Sequence, residues 1–139
     1  MTPDQITLIQ QSFAKVDPIR DQAAELFYNR LFELDPSVRK LFPDDMTEQK
    51  KKLMTTLAFV VASLNRLEDI VPAVQTLGRS HGGYGVAEKD YDTVGAALLW
   101  TLERGLGDGW RPDVAGAWTS AYGLLAGVMI EAQKEASAG

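Results

Sequence analysis

Apolar residues recur along this chain at three- and four-residue steps, in stretches opened by a capping residue followed by proline, a rhythm that commits it to helices packed on helices. Thr2-Pro3-Asp4-Gln5 opens the first: Thr2 caps it, Pro3 suits the first helical position, and Gln5 can reach back to complete a capping box. Ile6, Ile9, Phe13 and Val16 follow as its stripe. Asp17-Pro18 starts a second helix carrying Ala24, Phe27, Tyr28, Leu31 and Leu34. Asp35-Pro36 opens a short turn through Val38 and Leu41 to Phe42, which Pro43-Asp44-Asp45 breaks. The spacing predicts a helix from about Thr47 to Asn65, striped by Leu53, Leu57, Val61 and Leu64, with Gln49 one turn ahead on the same face. Another is predicted from near Pro72, through Val74 and Leu77, to His81, where Gly82-Gly83 can terminate it. Two long helices follow, about Glu88 to Leu106 and Pro112 to Ala136, parted by Gly107-Asp108-Gly109-Trp110. No strand alternation or internal repeat is present, so the expected class is all-α, with seven or eight helices in one domain spanning residues 1–139.

Size and charge narrow the function. A chain of 139 residues, 45% of them hydrophobic, has the usual dimensions of one domain and can bury a core without disulfides. Lys and Arg number 14 against 19 Asp and Glu, a net charge of -5, which lacks the electrostatic footprint of a nucleic-acid binder. No apolar run approaches the roughly 20 residues of a membrane span, and the opening is not of signal-peptide type, so a cytoplasmic domain is expected.

The inventory of reactive side chains is short: one histidine and no cysteine. Di-iron bundles, most zinc enzymes and thiol nucleophiles are excluded, and no nucleophile context accompanies the histidine. Haem iron needs only one imidazole from the protein, because the porphyrin supplies four nitrogens. A lone histidine is more often a helix-end residue, but His81 closes an apolar helix while a separate helix carries a leucine stripe, so two helices could sandwich a flat apolar group. A ligand histidine donates its other ring N–H to a neighbour, and the Leu77 carbonyl one turn earlier is the natural acceptor.

Three segments, in order and at matching spacing, carry a family resemblance. LFYNRLFELDPSVRKLF from Leu26 to Phe42, HGGYGV from His81 to Val86, and the run from Trp118 through Tyr122-Gly123 are similar to the second and third helices, the proximal segment and the final helix of the globins. The resemblance runs from Thr2 to about Gln133 and is strongest to single-domain bacterial haemoglobins and the globin domain of flavohaemoglobins. It implies a globin fold around haem b (iron protoporphyrin IX), with His81 as the proximal metal ligand and Phe42 wedging the haem. Tyr28, Gln49 and Leu53 would line the distal side, where a phenol O–H and an amide N–H favour a bound gas that gains negative charge. Phe42, Leu57, Leu77, Val86 and Val94 become wall residues, although ordinary core packing accounts for them equally. Lys50, Lys51 and Lys52 read most simply as a solvated face, from which Lys52 could reach a haem propionate. Tyr84 and Trp100 read as structural. Flavohaemoglobin-type globins tie the proximal histidine to a tyrosine and a glutamate; Tyr91 matches the tyrosine, but Gln133 stands at the glutamate position and Glu131 lies on a different helix face.

The function these residues imply is reversible oxygen binding, with CO and NO as other ligands, in the manner of an oxygen carrier. Nitric oxide dioxygenation is the enzymatic alternative. It would need an external reductase, since no Gly-x-Gly-x-x-Gly follows a strand and the length leaves no room for flavin and nicotinamide domains. A gas sensor and a cofactor-free bundle are the remaining classes.

Overall fold

A computed structural model describes the backbone of residues 2–83 and 88–138 and the side chains of 2–80 and 88–135. Among the described residues there are six α-helices and no strands: α1 (Pro3–Val16), α2 (Arg20–Leu34), α3 (Thr47–Ala62), α4 (Leu67–Gly83), α5 (Glu88–Leu106) and α6 (Pro112–Ala138). Four 3-10 turns, Asp17–Ile19, Pro36–Leu41, Leu64–Arg66 and Gly107–Gly109, join them. The class is all-α. The helix number falls just below seven or eight because Pro36–Leu41, squeezed between the Asp35 cap and Pro43, winds as a tight 3-10 turn.

Local chemistry accounts for most boundaries. The Thr2 hydroxyl accepts the Gln5 N–H at 3.1 Å while the Gln5 side chain accepts the Thr2 N–H at 3.0 Å, the reciprocal box that opens α1. Asp17 ends α1 by bonding its N–H to the Phe13 carbonyl, and the turn beginning there leads straight into α2. Helix α2 therefore starts at Arg20, three residues past the Asp17-Pro18 start read from sequence. Helix α3 stops at Ala62 instead of Asn65, because the Ser63 N–H is shared between the Phe59 and Val60 carbonyls and the chain tightens into Leu64–Arg66. Helix α4 corrects the sequence reading most: it begins at Leu67, and Pro72 lies inside it. A proline in the second turn removes only the bond to the Glu68 carbonyl, and burial of Ile70 and Val74 on one stripe holds the earlier turn in place. The helix also passes the expected stop at His81 and ends at Gly83.

The core gathers Ile9, Phe13 and Val16 from α1, Phe27 and Leu31 from α2, Leu98 and Leu102 from α5, and Ala117 and Trp118 from α6. A buried polar relay crosses it: the Trp118 indole N–H donates to the Ser12 hydroxyl at 2.9 Å, and that hydroxyl donates to the Ile9 carbonyl at 3.0 Å. Both groups are thereby satisfied where an unpaired one would be costly. Helix α4 lies hard against α6, for a Cβ placed on Gly78 would come 2.5 Å from the Met129 carbonyl oxygen and 2.7 Å from its Cα. Gly95 similarly lets the Tyr122 ring close on α5, where the Tyr122 hydroxyl donates to the Tyr91 carbonyl at 2.5 Å.

These contacts divide the helices. The extensive neighbours of α3 are α2 and α1, whereas that of α4 is α6; among the described residues α3 and α4 make no extensive contact with each other. No described helix is long and apolar enough to cross a membrane.

Gly78→Ala tests the α4–α6 crossing against Gly127→Ala, an α6 position with nothing within 4 Å of a new Cβ. Chemical denaturation is expected to show Gly78→Ala destabilised by about 1–3 kcal/mol, the usual cost of forcing atoms into a filled contact. Gly127→Ala should be neutral or gain up to about 1 kcal/mol from helix propensity.

Candidate functional site

Where the turn after α2 leads into α3, an aromatic cluster gathers around Tyr28. Tyr28, on the inner face of α2, is 4% exposed. Its ring meets Phe42 edge-on at 5.5 Å, Phe27 at 4.9 Å and Phe32 at 6.1 Å, and Phe32 meets Phe42 at 5.7 Å. Such tilted and edge-on contacts hold rings in defined orientations. Gln49, in the first turn of α3, reaches across and donates its side-chain N–H to the Tyr28 hydroxyl oxygen at 3.1 Å. The phenol oxygen is thus an acceptor in this bond, which leaves its own O–H as a donor to a third group. Burial pushes the Tyr28 phenol above its ordinary pKa, more than the Gln49 bond lowers it, so the proton stays in place through the neutral range.

The apolar walls come from several elements. Leu53 and Leu57 on α3, Leu77 on α4, Val94 on α5 and Phe42 are each only half-buried, while Met54, Val61, Val74 and Leu98 on the same helices are buried within protein. The half-buried set therefore presents apolar surface beyond what the core covers. Lys51 and Lys52 are exposed, and Lys50 is half-buried. The backbone of His81 belongs to α4, while its side chain, the bond proposed to the Leu77 carbonyl, and the whole of Tyr84 and Val86 lie outside the described residues. Among the described residues, no cluster of three or more His, Cys, Asp or Glu side chains is placed to grip a bare metal ion.

Across the fold, Tyr91 is 6% exposed and its hydroxyl donates to the Gln133 side-chain oxygen at 3.0 Å. Glu131 is exposed. Trp100 is half-buried with two guanidinium groups against its ring, Arg30 at 5.1 Å and Arg104 at 4.9 Å, so its surroundings are a cation-π cover.

One residue beside the aromatic cluster escaped the sequence reading. The Arg39 guanidinium donates to the carbonyls of Phe42 at 3.3 Å, Pro43 at 2.9 Å and Asp44 at 3.2 Å, and sits 5.2 Å from the Phe32 ring centre. The signal for it is a basic side chain in the last turn before a break, where terminal carbonyls lack partners.

Two cavities beside α3 are apolar, one lined by Phe27, Leu53, Leu57 and Trp118 among others and one by Leu57, Val61, Leu98 and Tyr122 among others, and Phe27 also packs on Tyr28, whose O–H is a donor, a setting for an apolar group and not for a polar substrate. A family sequence model described as Globin matches residues 25–129. The Flavohemoprotein of Bacillus subtilis (strain 168) is 36% identical over 114 residues, covering 78% of this chain and 28% of that protein. That of Oceanobacillus iheyensis is 30% identical over 112 residues, with the same coverage of 78% and 28%. The chain thus spans about 28% of the length of these curated relatives. Among solved structures, a bacterial globin from Campylobacter jejuni superposes with a TM-score of 0.83 at 26% identity, over 99% of this chain and 100% of that one. An engineered carbene transferase and candidate nitric oxide dioxygenase from Rhodothermus marinus shares the fold with a TM-score of 0.87 at 23% identity, over 99% and 96%.

Buried phenols make stability alkali-sensitive. Burial raises the pKa of Tyr28, and of Tyr122 still further, whereas the unfolded chain releases these protons near an ordinary value of about 10. Because the folded pKa is the higher one, this stability is complete below about pH 10 and is lost as pH rises towards the folded values. Denaturation midpoints measured across that window should fall with pH, and Tyr28→Phe should make the fall shallower; an unchanged slope would count against the burial.

Proposed function

This chain belongs to the globin family, and from that premise we propose that it binds haem b through His81 and takes up oxygen reversibly, with CO and NO as further ligands. The observation that carries the reading is the Gln49 to Tyr28 hydrogen bond, which joins α3 to α2 beside an aromatic cluster. Haem, when bound, supplies an iron centre able to hold a diatomic gas. Phe42, Leu53, Leu57, Leu77 and Val94 would cover its faces, joined by Val86, and Lys52 at the solvent edge would meet a propionate. Tyr28 would donate its O–H to the gas, and Gln49 would hold the phenol so that this donor points inward. Because bound oxygen is more polar than bound carbon monoxide, the donor favours retention of oxygen.

Tyr91 and Gln133 support binding over bond-cleaving chemistry. The Gln133 amide accepts the Tyr91 O–H without bearing a charge, so this pair lends the proximal side no anionic push of the kind a carboxylate would. As a cytoplasmic oxygen-binding protein the chain would act as a carrier or store. A second reading, nitric oxide dioxygenation, is favoured by the identity to two flavohemoproteins, with electrons delivered to this domain by an external reductase.

An intense Soret band after haem loading, lost or displaced in His81→Ala, tests the proximal assignment. Stopped-flow measurement of oxygen release should show an acceleration of about ten- to thirtyfold in Tyr28→Phe, the scale of one hydrogen bond in a dry pocket, with a smaller change for CO. Gln49→Leu should act in the same direction. Unchanged release in both variants would remove the distal mechanism, while sustained nitrate formation with a cellular reductase would turn the choice towards the enzyme.

A further inference from the structure

Phe42 is gripped at both ends of its peptide by a single residue. Its N–H donates to the Arg39 carbonyl at 3.1 Å, and its own carbonyl accepts from the Arg39 guanidinium at 3.3 Å. The same guanidinium continues to the carbonyls of Pro43 and Asp44, so three successive acceptors converge on one planar fork. They follow a 3-10 turn and precede α3, a stretch in which Pro43 has no N–H to donate and Phe42 is extended, with φ -121 and ψ 154. Few local bonds are available to hold such a segment. On its other side the guanidinium packs against Phe32, whose ring touches both Phe42 and Tyr28.

We infer that Arg39 is a positioning residue for the candidate site: it clamps the Phe42 to Asp44 backbone so that the Phe42 ring is held against Phe32 and Tyr28 and, through ring contact, the Tyr28 hydroxyl is held at its place beside Gln49. The inference rests on the haem reading for its functional consequence, but the clamp itself belongs to the polypeptide. A lysine keeps the charge and much of the stem, yet its ammonium cannot spread across three carbonyls in one plane or lie flat on Phe32. Fork geometry, not charge, is the determinant.

Full-length wild type, Arg39→Lys and Arg39→Gln are compared with and without haem. In the haem-free chain the Phe42 amide should exchange about tenfold faster in both variants, as expected when a bond's support is removed, while amides of α1 and α6 keep their protection. With haem loaded, oxygen release should rise about fivefold and CO release by less than about twofold, because only the former reads the Tyr28 hydrogen bond. Arg39→Lys should recover little of either effect. Wild-type Phe42 protection together with wild-type oxygen release in Arg39→Lys overturns the inference, as does a change spread evenly over all helices. Should Arg39→Gln not fold, Arg39→Lys carries the comparison. Failure of the wild type to take up haem sinks the functional reading by itself, and exchange at Phe42 in the haem-free chain still decides the role of Arg39.

Discussion

The close crossing of α4 over α6 at Gly78 governs where α4 lies in the fold. With no side chain there, the α4 backbone settles onto the Met129 peptide, and the burial of Ile70 and Val74 keeps it there. A helix committed to α6 along this face cannot also close upon α3, which is engaged by α2 and α1. Two consecutive helices, joined by a single 3-10 turn, are therefore held apart by what each packs against. Leu53 and Leu57 on one and Leu77 on the other stay half-buried, the first two packing against the core.

The polarity of the Tyr28–Gln49 pair is set by order of donation. Gln49 donates to Tyr28, so the phenol's proton faces a third partner, and burial keeps that proton attached. Neither residue would do this alone: a buried phenol with no neighbour could turn its O–H towards any carbonyl within reach, and a glutamine in a first helical turn is ordinarily solvated. Their pairing is enforced by the backbone after Phe42, since it determines where α3 begins relative to α2. Three features that look separate, the Asp35-capped turn, the Arg39 clamp and the first turn of α3, thus act on a single hydrogen bond.

Much of the helical layout was legible in the residues. Thr2 and Gln5 form the capping box their spacing announces, and the Leu53 to Leu64 stripe faces the core, because both depend on interactions within a few residues. Pro72 misled for the opposite reason: its local preference for a helix start was overridden by tertiary burial of Ile70, two residues upstream. The division of α3 and α4 between different neighbours, the Ser12–Trp118 relay and the three-carbonyl grip of Arg39 were not legible, since each joins atoms whose proximity follows only from the assembled fold. At the candidate site the residue types could be named from family resemblance, but the direction of the Gln49–Tyr28 bond could not. It is a property of two side-chain orientations.

On the side proposed to be proximal, one residue alters the charge while the packing is retained. Tyr91 and the residue at position 133 are brought together by α5 and α6, whose spacing is set where Tyr122 packs on Gly95 and bonds the Tyr91 carbonyl. That geometry would serve a carboxylate equally well. With glutamine there, the Tyr91 hydroxyl still finds its acceptor at 3.0 Å, so the packing loses nothing by the exchange. What changes is charge: a carboxylate oxygen could compete for a proton from a nearby imidazole, whereas an amide oxygen is far too weak a base to do so. Were His81 to bind haem iron beside this pair, as proposed, no anion at position 133 would draw on its ring proton. On that proposal, the uncharged Tyr91–Gln133 pair and the Tyr28 O–H would act together in favour of holding a diatomic molecule intact.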